Sequence, residues 1–127
     1  MKQALPLLGL LILFCFCGAA KKERMEMKQP QTKPLITFVE IGSVNCVPCR
    51  QMKPIRKAIE EKYAGKVQVV FYDVNKQRAK ANEFYIRLIP TQVFLDERGK
   101  EFWRHEGFYP QKDIEKIIDT KLAPKES

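Results

Sequence analysis

Two short runs of β-branched and aromatic residues, separated by one amphipathic stretch, restrict the fold of this chain more than any other feature. Residues 35–41 (LITFVEI) and 67–72 (VQVVFY) are typical of buried strands. Over residues 47–63, apolar side chains recur at spacings of three and four, which predicts a helix that Pro54 should kink. Two strands joined by a helix form a right-handed unit with parallel strands, so the sequence predicts an α/β protein.

The second half of the chain extends this pattern. It predicts a helix over 76–88, whose apolar residues are Ala79, Phe84 and Leu88, and then a hairpin and a last helix. The hairpin consists of strands at 91–95 and 101–106, and the last helix covers 111–122. The predicted order is β-α-β-α-β-β-α, with a central four-stranded mixed sheet flanked by helices in one domain, 35–122.

Composition and charge exclude several classes of protein. The chain has 127 residues, 45% hydrophobic and 30% charged, which argues against disorder, a collagen-like repeat and a polytopic membrane protein. The net charge is +8, but basic residues alternate with acids along the predicted helices, so we expect no nucleic-acid binding. Residues 21–34 are polar and basic and predict a linker, which serves either as a spacer or near anionic lipid head groups. Residues 123–127 form a short tail.

The first 20 residues have the pattern of an export signal. Lys2 is followed by an uncharged run to Ala20, and small residues precede Lys21, where a signal peptidase would cut. Two alternatives stay open: a lipid anchor on Cys15 or Cys17, and an uncleaved membrane helix that tethers the protein. All three place the rest of the chain in an extracytoplasmic compartment that permits disulfides.

The remaining two cysteines form a Cys46-Val47-Pro48-Cys49 pair between the end of a predicted strand and the start of a helix. This spacing brings two sulfurs within bonding reach on the first helical turn. The positive end of the helix dipole favours a thiolate on the first cysteine, and the deeper second sulfur can attack a mixed disulfide. Pro48 costs nothing there, because its missing N–H would be unpaired anyway. The alternatives are a zinc site, copper binding with His105 as third ligand, and an inert structural pair.

At this point the residues resemble the thioredoxin family. The stretch GSVNCVPCRQMKP (42–54) is similar to the family's active-site turn and following helix, and Ile89-Pro90-Thr91 stands where the family has a cis-proline. The resemblance extends over about 35–122. Three further positions also fit the family: Asp73, Asn75 and Gly107.

The resemblance implies roles for individual residues. Cys46 is the nucleophile and Cys49 the resolving cysteine, and the two form the redox disulfide. Pro90 is the cis-proline, with a trans-proline at a strand start as the alternative, and it exposes the backbone of Ile89 to an extended substrate. The substrate also contacts Val47 and Pro48, between the cysteines.

Glu40 stands where the family usually has a buried aspartate, six residues before the first cysteine. Burial would raise the pKa of its carboxyl group, which could then exchange a proton with Cys49 through a water. The alternative is a glutamate that reaches a solvated edge. His105 is expected to pack or to face solvent.

The sequence departs from the family around the cysteines and beside the expected acid. Asn45 and Gly42 replace common aromatic residues, Val47 replaces a glycine, and Val69 stands where many members carry a lysine. The segment that follows the second strand is about two residues longer. These changes predict an altered docking surface and an altered redox potential.

The sequence therefore predicts an exported thiol–disulfide oxidoreductase that needs no cofactor or metal. Val47 and Pro48 offer no side-chain hydrogen bond to a thiolate, which favours a reductase. The expected partners of this monomer are protein thiols and disulfides, apocytochrome c among them, and a membrane thiol transporter that supplies electrons. The alternative is a non-catalytic binding module or a copper metallochaperone on the same fold.

Overall fold

The computed structural model describes residues 33–124, and the predicted export signal, most of the predicted linker and most of the tail lie outside them. The elements follow the predicted order: β1 (Ile36–Gly42), α1 (Val47–Lys62), β2 (Val67–Asp73), α2 (Arg78–Glu83), β3 (Thr91–Asp96), β4 (Glu101–Glu106) and α3 (Gln111–Leu122). The four strands form one mixed sheet in the order β2-β1-β3-β4. β1 is parallel to β2 and antiparallel to β3, and β3 pairs with β4 as a hairpin.

The sheet is covered on both faces because successive residues of a strand point to opposite sides. One face of β1 presents Ile36 and Phe38 to α1 and α3, and the other presents Val39 and Ile41 to α2. Phe38 stacks on Phe94 of β3, with ring centroids 4.9 Å apart. The sheet therefore separates two hydrophobic clusters, and its central strand is buried on both faces.

Two polar contacts join the C-terminal end of α1 to α3. Lys62 forms an ion pair with Glu115 at 2.8 Å, and the Tyr63 hydroxyl donates to Asp119 at 2.7 Å. Burial, together with this acceptor, raises the pKa of Tyr63 to about 12. The predicted kink at Pro54 stays a prediction, but the helix continues through this proline to Lys62.

The prediction for the second helix was wrong in length and in its buried face. The helix ends at Glu83, because Phe84 and Tyr85 close it with bonds to Ala81 and Asn82 and Tyr85 takes a positive φ of 50°. Predicted apolar contacts are absent at two described positions: Ala79 is exposed, and Leu88 lies beyond the helix. Ala81 is the residue that packs under the sheet, while Phe84 packs partly against the same cluster.

Candidate active site

The cysteine pair lies at the junction of β1 and α1, as the sequence predicts. Cys46 is the N-cap of α1, and its sulfur accepts a hydrogen bond from the Cys49 backbone N–H at 3.3 Å. Pro48 occupies the first turn, where no intrahelical N–H bond is lost. The two sulfurs form a disulfide, with Cα atoms 5.2 Å apart. The helix N-terminus thus directs both its dipole and an N–H group at the first cysteine.

The turn that carries the pair is fixed to the end of β2. The Ser43 hydroxyl accepts from the Asn45 N–H at 3.2 Å and from the Asn75 side-chain amide at 2.9 Å. Asp73 accepts from the backbone of Val44 at 3.4 Å and of Asn75 at 2.9 Å. Asp73 and Asn75, two positions at which the sequence resembles the family, therefore hold the cysteine turn against the end of β2.

The two cysteines differ in exposure. Cys46 is partly exposed, whereas Cys49 is 2% exposed and lies against Gly42 of β1. A Cβ atom at Gly42 would approach the Cys49 sulfur to 3.1 Å. Val47 is 58% exposed beside Cys46. A disulfide of another protein can therefore reach Cys46 but not Cys49.

Glu40 is fully buried on β1, two residues before Gly42 and on the same face of the sheet. Its Oε1 accepts from the Arg56 guanidinium at 2.6 Å. Desolvation raises the pKa of the Glu40 carboxyl to about 7, although Arg56 opposes the rise. The side chain does not reach a solvated edge.

Arg56 is a site residue that the sequence analysis missed. It projects from α1 onto the sheet and lies 4.1 Å above the ring of Phe71 on β2, between the buried helix positions Met52 and Ile59. A basic residue on the apolar face of a predicted helix was the signal that could have identified it. Val69 of β2, at the position where a lysine was noted as common in the family, is uncharged. The cation that pairs with Glu40 is Arg56 of α1.

Ile89 and Pro90 lie immediately before β3. Their peptide bond is cis, Pro90 is buried and Ile89 is partly buried. The segment is held on both sides: the Thr91 hydroxyl donates to the Leu88 carbonyl at 2.7 Å, and the Gly107 N–H donates to the Pro90 carbonyl at 2.7 Å. The backbone before β3 is therefore anchored to the end of β4.

His105 is partly buried and packs within the fold. Its ring stacks on Tyr109 at 4.0 Å between centroids, and its Nε2 lies 3.2 Å from the Phe108 carbonyl. Within residues 33–124, no three His, Cys, Asp or Glu side chains form a group that could hold a metal ion, so the set Cys46, Cys49 and His105 is not assembled as ligands. No helix in this part of the chain is long and apolar enough to cross a bilayer.

Comparison with known proteins agrees with this geometry. Residues 21–122 match the family model described as a thioredoxin-like domain. The chain is 32% identical over 97 residues to thioredoxin Y, chloroplastic, from Oryza sativa subsp. japonica; the match covers 76% of this chain and 56% of that protein. It is 24% identical to the thioredoxin of Staphylococcus haemolyticus (strain JCSC1435), over 68% of this chain and 83% of that one.

A solved structure gives the same fold. A mutant thioredoxin from Halobacterium salinarum NRC-1 superposes with a TM-score of 0.65 at 20% identity, covering 72% of this chain and 80% of that one. The family match, the fold and the Cys46–Cys49 disulfide together support thiol–disulfide oxidoreductase activity. This chain belongs to the thioredoxin-like family.

Proposed function

We propose that this protein is an exported thiol–disulfide oxidoreductase that reduces disulfides of extracytoplasmic proteins. The observation that carries the proposal is the asymmetry of the pair: a reachable Cys46 at a helix N-terminus, with a buried Cys49 behind it. The helix dipole and the Cys49 N–H stabilise the thiolate of Cys46. Cys46 is therefore the nucleophile and Cys49 the resolving cysteine.

The reaction proceeds in two exchanges. The Cys46 thiolate attacks one sulfur of a substrate disulfide, a mixed disulfide forms, and the first substrate thiolate leaves and takes up a proton. Cys49 then loses its proton and attacks the Cys46 sulfur, which releases the second substrate sulfur as a thiol. The substrate gains two electrons and two protons, and Cys46 and Cys49 become a disulfide.

The residues around the pair support this sequence of steps. Glu40 is the proton acceptor for Cys49, because its buried carboxyl has a pKa near neutrality, as efficient proton exchange at that pH requires. Val47 and Pro48 provide an uncharged surface beside the nucleophile. Pro90 exposes the backbone of Ile89 for pairing with an extended substrate segment.

The assignment of roles is tested by trapping. Cys49→Ser leaves a mixed disulfide at Cys46 unresolved, so it should accumulate client adducts that dissolve in reducing agent. Cys46→Ser is the matched control and should trap few, because its remaining cysteine is buried. Adducts would be counted on non-reducing gels and located by mass spectrometry. Equal trapping by both variants, or by neither, contradicts the assignment.

The reducing direction rests on the residues between the cysteines. Val47 and Pro48 give the thiolate no side-chain hydrogen bond, so its stabilisation comes from the helix terminus alone. We expect a potential nearer that of thioredoxin, about −270 mV, than that of the strongest oxidants of this fold, about −120 mV. Equilibration with glutathione buffers measures it. A value more positive than about −180 mV would make the protein a disulfide donor or isomerase.

Export is supported by the pattern of residues 1–20. An exported reductant needs electrons from across the membrane, so the implied donor is a membrane thiol transporter, and the clients include apocytochrome c or similar thiol proteins. Fractionation and the intact mass of the mature protein test this. Cleavage before Lys21, a lipid on Cys15 or Cys17, or a full-length chain anchored in the membrane supports export, whereas a full-length chain in the cytoplasm contradicts it.

A further inference from the structure

A row of four side chains crosses the sheet on the face that α1 covers. Strand register places Phe71, Glu40, Gln92 and His105 side by side on β2, β1, β3 and β4. Glu40 and Gln92 are directly opposed, and both are fully buried. Directly opposed residues of antiparallel strands have Cβ atoms about 4.5–5.5 Å apart, so their side chains are neighbours.

Each of these two side chains has one oxygen without a partner among residues 33–124. They are Oε2 of Glu40 and Oε1 of Gln92. The other polar atoms of the pair are occupied: Arg56 donates to Glu40 Oε1 at 2.6 Å, and Gln92 Nε2 donates to the Gly107 carbonyl at 3.0 Å. Buried acceptors without a donor are costly, and a proton shared between these two neighbouring side chains would satisfy both oxygens.

The Gly107 carbonyl fixes the orientation of the Gln92 amide. A carbonyl oxygen only accepts, so the amide must present its Nε2 to Gly107 and its Oε1 elsewhere. Rotating the amide would place two acceptors face to face. Gln92 therefore leaves its Oε1, an acceptor, without a partner on the buried face that it shares with Glu40.

We propose that Gln92 is a positioning residue for the active-site proton: its Oε1 accepts a hydrogen bond from the protonated Oε2 of Glu40. When Glu40 is charged, the same two atoms are opposed acceptors and repel. Gln92 thus favours the neutral carboxyl, in the same direction as the desolvation that raises the pKa of Glu40 to about 7.

The other groups around Glu40 act differently. From α1, Arg56 favours the carboxylate, and Cys49, which is disulfide-bonded here and becomes a thiol on reduction, packs against Gly42 of the same strand. From β2, Phe71 contributes an uncharged ring. His105, on β4, lies one position beyond Gln92 in the row. The Glu40 carboxyl thus lies between two opposing groups. Arg56 at one oxygen favours the charged form, and the acceptor of Gln92 at the other favours the neutral form.

This inference rests on the proposed function for its role in the reaction. Cys49 transfers its proton to Glu40 and, as a thiolate, attacks the Cys46 sulfur of the mixed disulfide. A Cys46–Cys49 bond forms as the bond to the substrate breaks. Glu40 then returns the proton, which ends on the departing substrate thiolate. Gln92 holds the proton on Glu40 between these two transfers.

Infrared difference spectroscopy on the full chain tests the hydrogen bond. Glu40→Gln identifies the carbonyl band of the protonated acid by removing it, and titration of that band gives its midpoint pH. In Gln92→Leu we expect the band at higher wavenumber, because the acid no longer donates a hydrogen bond to Gln92, and the midpoint lower by about one pH unit. Gln68→Leu, at an exposed glutamine on β2, is the matched control and should change neither.

An unchanged band and midpoint in Gln92→Leu would overturn the proposal, and would mean that Glu40 finds another partner. Gln92→Met, of similar length and also without an acceptor oxygen, replaces the leucine variant if the latter does not fold. The pH profile of the resolving step, measured as release of client thiol from Cys46, should shift with the infrared midpoint. An infrared shift without a kinetic shift supports the hydrogen bond and overturns the role of Glu40 in the proposed function.

Discussion

At the scale of single residues, Glu40 links the stability of the protein to its chemistry. The carboxyl is fully buried, and its pKa is raised from 4.5 to about 7. Folding therefore favours the protonated form, so between these two pH values the folded chain holds a proton that the unfolded chain has lost. The same proton is the one that we propose Cys49 exchanges.

The free energy of unfolding should consequently fall as the pH rises from 4.5 to about 7, by up to about 3 kcal/mol from this residue. Below 4.5 the contribution is fully present. Glu40→Gln stays neutral and should remove this fall. Urea unfolding of the oxidised protein across this range measures it, with Glu60→Gln, an exposed change on α1, as control. A Glu40→Gln profile as steep as that of the parent protein would contradict the expectation.

The residues of the site differ in how far the sequence could predict them. Cys46 and Cys49 are identified by spacing between a strand and a helix, which needs no tertiary information. Arg56 stands on the apolar face of the predicted helix, but the residue pattern does not tell that it pairs with Glu40. Gln92 is not identified at all, because it is polar in a strand whose covered face is known only after packing. Gln92 precedes Val93 and Phe94, and alternation alone does not tell which face of β3 is covered by α1.

At the scale of elements, residue patterns predicted β1, β2, β3 and the two longer helices, because each of these strands is a short apolar run and each helix has a wide apolar face over several turns. The short α2 lacks such a signal. It has six residues and no side-chain N-cap, and one buried alanine fixes its position. Its limits are set by the turn at Tyr85 and by packing against the sheet, neither of which a residue pattern encodes.

The finding that Ala81 of α2 is buried, while Ala79 is exposed, can be tested by substituting each of these two alanines. Ala81→Gln inserts a long amide between α2 and Val39, Ile41 and Val93, so we expect a loss of about 2–4 kcal/mol in the free energy of unfolding. Ala79→Gln is exposed and should change it by no more than about 0.5 kcal/mol. Urea denaturation compares them. Similar losses in both variants would show that the helix packs differently.

At the scale of the whole molecule, the fold brings distant segments to one end of the sheet. The cysteine turn is held by Asp73 and Asn75 after β2, while Gly107 after β4 binds both Gln92 and Pro90. The sequence could predict these segments but not these bonds. Residues in or next to all four strands therefore hold the loops around the Cys46–Cys49 pair in place.

The position of β1 in the sheet has a mechanical consequence. The chain enters the domain through this strand, which is bonded to β2 on one side and to β3 on the other. A force applied at the N-terminus, by a tether or by an unfolding protease, must break two ladders at once before the strand can be extracted. A force applied at the C-terminus first meets α3, which belongs to no ladder. The domain should thus resist pulling from its N-terminal side and yield from its C-terminal side.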